Sequence, residues 1–169
     1  MSDAAKPIFL VDAECDPLLI RIEGRACFQN SACLRDFFAT MTARGKRRFV
    51  IDFGHCASMD STFLGVLAGV ALDLRGQTPA GSLVLCQVGP RNLELLQNLG
   101  LHKLLCVDTT VAHSPDRCSA LDCQPQHNEL ENARLALEAH RNLVAADDSN
   151  RTRFQDVLAF LQKRVEQGG

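Results

Sequence analysis

The sequence predicts a mixed α/β domain, a mainly parallel sheet with helices laid on it, followed by an antiparallel helical hairpin. Three observations predict it. From residue 8 to residue 107, β-branched runs alternate with stretches of helical period, and such alternation builds a sheet through right-handed crossovers. The first two runs are joined by a short polar segment, as a β-hairpin requires. Composition then shifts near residue 113, and only helical patterns follow. The expected division is 1–112 for the α/β domain, 113–127 for a linker and 128–169 for the hairpin.

Taken in order, residues 8–12 (Ile-Phe-Leu-Val-Asp) and 17–24 read as strands; in the second, Leu18, Ile20 and Ile22 alternate with other residues and Gly24 stops the run. Residues 31–43 read as a helix capped by Ser31, with Cys33, Leu34, Phe37, Phe38 and Met41 at spacings of three and four. Arg48 to Phe53 is a buried strand, followed by a short loop. Residues 61–75 form the clearest helix, apolar on more than one face, and Gly65 and Gly69 leave a smooth stripe where another backbone can approach. Ser82 to Val88 is a strand. Pro90 opens a helix that stops at Gly100, and Leu104 to Val107 is a last short strand. Beyond the Pro- and Cys-containing stretch 113–127, residues 128–146 are helical, Asp147-Asp148-Ser149-Asn150 supplies turn and cap chemistry, and Phe154, Val157, Leu158, Leu161 and Val165 make an amphipathic stripe. The stripe is expected to pack against its hairpin partner or the α/β core; left free, it would dock a partner protein or a second copy.

The totals exclude several function classes. With 46% apolar and 22% charged residues the chain has the composition of a globular protein. A formal net charge of −2 offers no basic face for nucleic acid, and the Arg44–Arg48 patch is short enough to be a solvated strand entry. No run is long enough to span a membrane. The acidic residues Asp12, Glu14 and Asp16 leave no signal peptide in view, so a cytoplasmic chain with eight reduced cysteines is the expectation.

The informative stretch is Phe49-Val50-Ile51-Asp52-Phe53-Gly54 followed by Met59-Asp60-Ser61-Thr62-Phe63-Leu64-Gly65-Val66-Leu67. Asp60 is a natural N-cap, and Ser61 and Thr62 fall in the first turn, where amides lack partners and the field favours negative charge. Residue types alone read this as a plain helix cap. The stretch also resembles the signature of STAS domains, a strand ending in Asp before an Asp-Ser-x-Gly-Leu-Gly-type helix start. The resemblance covers roughly residues 8–112. It implies the STAS fold and, for bacterial members, a binding module of the anti-sigma factor antagonist kind rather than an enzyme. In such members the serine after the aspartate is phosphorylated by an anti-sigma factor with serine kinase activity and restored by a serine phosphatase. Carried over by position, the phosphoacceptor is Ser61, with Thr62 as the lesser candidate, and the partner-binding surface comprises Asp60, Ser61, Thr62, Phe63 and Cys27. No cofactor is implied. Two departures mark this chain: Phe63 stands where the family has glycine, placing a ring near the expected interface, and Cys27 replaces an acid in the Gly24-Arg25-Ala26-Cys27 loop. A second function of the same fold is a constitutive subunit of a larger complex, such as the STAS-like regulators of lipid-transport ATPases.

Two further constellations have plainer readings. His113, Cys118, Cys123 and His127 are zinc-ligand types, but their His-x4-Cys-x4-Cys-x3-His spacing is not that of a standard finger, and packing thiols are the expectation. His55-Cys56 are adjacent in sequence, whereas a nucleophile and its base are normally brought together by the fold.

Overall fold

A computed structural model describes residues 7–108, 117–123 and 128–168. Six strands form one sheet: β1 (Phe9–Asp12), β2 (Leu18–Ala26), β3 (Arg48–Met59), β4 (Ser82–Cys86), β5 (Cys106–Asp108) and β6 (Ser119–Ala120), in the order β5-β4-β3-β2-β1-β6. β2 to β5 run parallel, while β1 is antiparallel to both β2 and β6. The alternation of Leu18, Ile20 and Ile22 has its expected consequence. All three are fully buried on the face that meets helices α1 (Phe28–Ala43), α2 (Ser61–Arg75) and α3 (Pro90–Asn98), together with Phe49, Ile51 and Leu85. The opposite face carries a smaller apolar cluster, Leu19, Val50 and Cys86, packed by Cys15, Val84 and Cys118.

The C-terminal part is a third layer. Helix α4 (Glu129–Ala146) lies on the outer side of α1 and α2, where Leu135 and Ala139 meet Ala32 and Val66. This is why α2 is apolar on more than one face. The glycine stripe is the contact itself: a Cβ on Gly65 would fall 2.1 Å from the Ala139 carbonyl oxygen, so only glycine lets the two backbones come this close. After a single turn, α5 (Asn150–Arg153), helix α6 (Gln155–Gly168) returns along α4. The turn is stapled to the α/β core by the fully buried Asn150, whose amide donates to the carbonyls of Leu99 (2.9 Å) and Leu143 (2.8 Å).

The structure differs from the sequence reading in five places. β3 continues through Gly54–Met59, expected as a loop, because those residues pair with Glu23–Ala26 of β2 across two register shifts. α1 begins at Phe28 with Cys27 as N-cap, and the Ser31 hydroxyl instead donates to the Cys27 carbonyl at 2.7 Å. Part of the stretch read as a linker is a strand, since Ser119 and Ala120 pair with Val11 and Leu10. The cysteines are not all thiols: Cys33 of α1 and Cys123 form a disulfide, with Cα atoms 5.4 Å apart. The C-terminal stripe is only half sheltered. Phe154, Leu158, Leu161 and Val165 are partly buried, whereas Val157 is exposed, as is Phe160 outside the stripe.

Candidate functional site

The parallel register of β2 and β3 pairs Ala26 with Met59. The next residue on each strand, Cys27 and Asp60, is a helix N-cap, so two helix N-termini stand side by side at the C-terminal edge of the sheet. Asp60 serves both. One carboxylate oxygen accepts the Phe63 amide N–H of α2 at 2.9 Å and the other accepts the Phe28 amide N–H of α1 at 2.8 Å. The Asp60 amide in turn donates to the Ala26 carbonyl. Cys27 closes its own cap through Asn30, whose side-chain oxygen accepts the Cys27 N–H at 3.0 Å.

Ser61 is the first residue of α2 and is half-buried. Its hydroxyl lies 3.0 Å from Nε2 of His140, a residue of α4 that is 4% exposed. The other ring nitrogen, Nδ1, is 2.7 Å from the Ala136 carbonyl, which can only accept. In the neutral ring Nδ1 therefore carries the proton, and Nε2 accepts from the serine O–H. The ring is wedged edge-on against Phe154, centroids 5.0 Å apart. His140 is the residue the sequence reading missed. It follows Leu137 by three and precedes Val144 by four on the inward stripe of its helix, so a histidine among packing positions was the available signal.

The remaining candidates divide. Asp60, Ser61 and Cys27 are brought together at the sheet edge. Thr62 is buried, and Phe63 is fully buried, its ring stacked on Phe9 at 6.4 Å. The Phe63 side chain thus fills the core rather than an interface, because the third position of α2 faces the sheet. The aromatic that does stand out beside Asp60 is Phe28, 47% exposed.

Of the possible zinc ligands, His113 and His127 lie outside the described residues. Cys123 is bonded to Cys33 and Cys118 packs under β2 and β3. Among the described residues no group of three or more His, Cys, Asp or Glu side chains is arranged to hold a metal ion. His55 and Cys56 point apart, as neighbours on a strand must. His55 meets Arg21 and Glu23, while the Cys56 thiol turns to the Ser58 carbonyl, where burial pushes it up to about 11. Burial likewise holds the Cys86 thiol at about 11 and raises those of Cys15 and Cys118. None of these four is a ready nucleophile at neutral pH. Among the described residues no helix is long and apolar enough to cross a membrane.

The comparisons with known proteins bear on the fold and the family. The family model described as "Mlab, STAS domain" matches residues 9–106, more than half of the chain. The structure of the anti-sigma factor antagonist SpoIIAA in its unphosphorylated form is similar at 18% identity, with a TM-score of 0.51 over 61% of this chain and 89% of that one. The Bacillus cell fate determinant SpoIIAA in its phosphorylated form matches at 21% identity and a TM-score of 0.49, over 60% of this chain and 92% of that one. The α4–α6 layer lies outside the residues that the family model matches. From β1 to β5, this chain belongs to the STAS domain family.

Proposed function

We infer that the chain is a regulatory binding module of the anti-sigma factor antagonist kind, with Ser61 as its phosphoacceptor. Its partner is an anti-sigma factor with serine kinase activity, and a serine phosphatase resets it. The observation that carries this reading is the position of Ser61. It is the first helical residue after a cap, directly beyond the sheet edge, beside a second helix N-terminus and the exposed Phe28. Phosphate there adds close to two negative charges next to Asp60, which is enough to switch protein binding. The first-turn amides of α2 offset part of the added charge, so the fold tolerates it.

The test is affinity. Ser61→Asp is expected to bind the anti-sigma factor at least tenfold more weakly than Ser61→Ala, with circular dichroism verifying that both variants are folded. Equal affinities would overturn the reading.

A second reading, a constitutive subunit of a larger assembly such as a lipid-transport ATPase, is favoured by one observation. The Ser61 hydroxyl is engaged by His140 beneath α4. That reading requires a chain that never carries phosphate and a partner indifferent to charge at residue 61.

A further inference from the structure

The α4 layer does more than extend the core, because it lies on the face of α2 that begins with Ser61. Positions 61, 65 and 69 form one stripe. Ser61 is held by His140; Gly65 lies against the Ala139 backbone, and its carbonyl accepts the Asn142 amide at 3.1 Å; a Cβ on Gly69 would meet that same amide at 2.4 Å. All three contacts are made by one α4 face, and the residue over the serine oxygen is itself buried. A kinase needs room to bring a phosphoryl group in line with that oxygen, and the His140 ring stands 3.0 Å from it, leaving Ser61 half-buried.

The entry to α4 is tied down separately. Cys123 precedes the α4 cap, Asn128, by about five residues, a reach of about 17 Å from its bond to α1. Without that bond, among the described residues the next element back that is firmly in the sheet is β5, ending at Asp108 and about twenty residues, or about 70 Å of extended chain, from Asn128. β6 gives a nearer but short hold: two residues paired with β1, the Leu121 amide donating to the Phe9 carbonyl at 2.9 Å, and the Leu121 side chain on the core. The disulfide therefore keeps α4 at high effective concentration over its seat.

We propose that α4 is a built-in cover over Ser61 and that the Cys33–Cys123 disulfide is its latch. This rests on Ser61 being the switch residue and adds how access to it is governed. A dithiol reductant opens the latch. Its thiolate attacks one sulfur, the S–S bond breaks, the second thiol closes the reductant's own disulfide, and Cys33 and Cys123 each end as a protonated thiol. Two electrons pass from reductant to protein. The cover then lifts more often, exposing Ser61 to a kinase and the surrounding face to a partner.

The experiment uses the full oxidised chain carrying Ser61→Cys, pulsed with iodoacetamide and peptide-mapped, with exposed Cys106 as internal reference. Three further chains add Gly65→Ala, Leu135→Asp, or Cys33→Ser with Cys123→Ser. The first two disturb only the seat of α4, and hydrogen exchange over β2 and β3 verifies that the sheet is kept. Position 61 is expected to react at least tenfold faster in each than in the parent. Reaction in the parent as fast as in the α4-seat variants would overturn the cover, and a disulfide-free chain as slow as the parent would overturn the latch. The two claims about Ser61 separate cleanly. Protection of position 61 in a chain that never acquires phosphate in cells removes the switch and leaves the cover standing. Phosphate on Ser61 of an oxidised chain whose position 61 reacts freely removes the cover alone.

Discussion

The carboxylate of Asp60 reaches the amide of Phe28 as well as its own helix, so one side chain caps α1 and α2 together. The relationship joins two helices that begin 33 positions apart in sequence, and it follows from the register that sets Ala26 opposite Met59. Each cap is a hydrogen bond to a charged acceptor, of the kind that contributes roughly 0.5–2 kcal/mol. Asp60→Ala is therefore expected to destabilise the chain by about 2–3 kcal/mol. Asp60→Asn, which keeps one oxygen acceptor, should cost about half as much. Urea unfolding of both variants checks this, and an Asp60→Asn chain as stable as the parent would mean that only one cap matters.

Phe63 separates a core role from an interface role. Fully buried against Phe9, it should cost about 3–5 kcal/mol when cut to alanine. A residue presented to a partner would cost a few tenths. Thermal unfolding of Phe63→Ala distinguishes the two.

Asn150 ties the hairpin turn to the α/β core. Replacing it with alanine leaves the Leu99 and Leu143 carbonyls without their amide donor, at about 1–3 kcal/mol for each that stays buried. The loss should appear first in the C-terminal layer. Amide exchange in α4 and α6 is expected to accelerate, while that of β2 and β3 stays near its parent rate. Uniform acceleration would show that hairpin and domain unfold as one unit.

The buried thiols predict a pH dependence. Burial first, then the neighbouring Asp52 and Asp108, raises Cys86 to about 11, and burial raises Cys56 to about 11, from an ordinary value of 9.0. A raised folded-state value means that the folded chain keeps protons which the unfolded chain releases. The associated stability is whole below pH 9 and is lost as pH climbs toward 11. A denaturation midpoint that falls across that window, and falls less in a Cys86→Ala chain, is the expected result. No tyrosine is present to add its own titration.

What the sequence made legible follows the range of the interactions involved. Strands and helices of the α/β domain announce themselves through local period, and Asp60 through cap chemistry, because those signals span a few residues. Gly65 and Gly69 disclosed a close backbone neighbour, though not which one. The extension of β3 through Gly54-His55-Cys56 was not legible. Its residues are poor strand formers, and pairing with β2 overrides their preference. Neither was the direction of Phe63, which depends on how α2 is rotated against the sheet. The Ser61–His140 bond and the Cys33–Cys123 disulfide span 79 and 90 residues. Eight cysteines offer too many pairings for spacing to choose among them.

Whether Ser61 is a switch can be read by mass. The chain is isolated from the cells that make it, under growth and under stress, and the peptides covering residues 49–75 are mapped. A fraction of molecules is expected to be heavier by one phosphate, localised to Ser61 and varying with condition. Peptides free of phosphate under every condition, from a chain that still holds its partner, would contradict it.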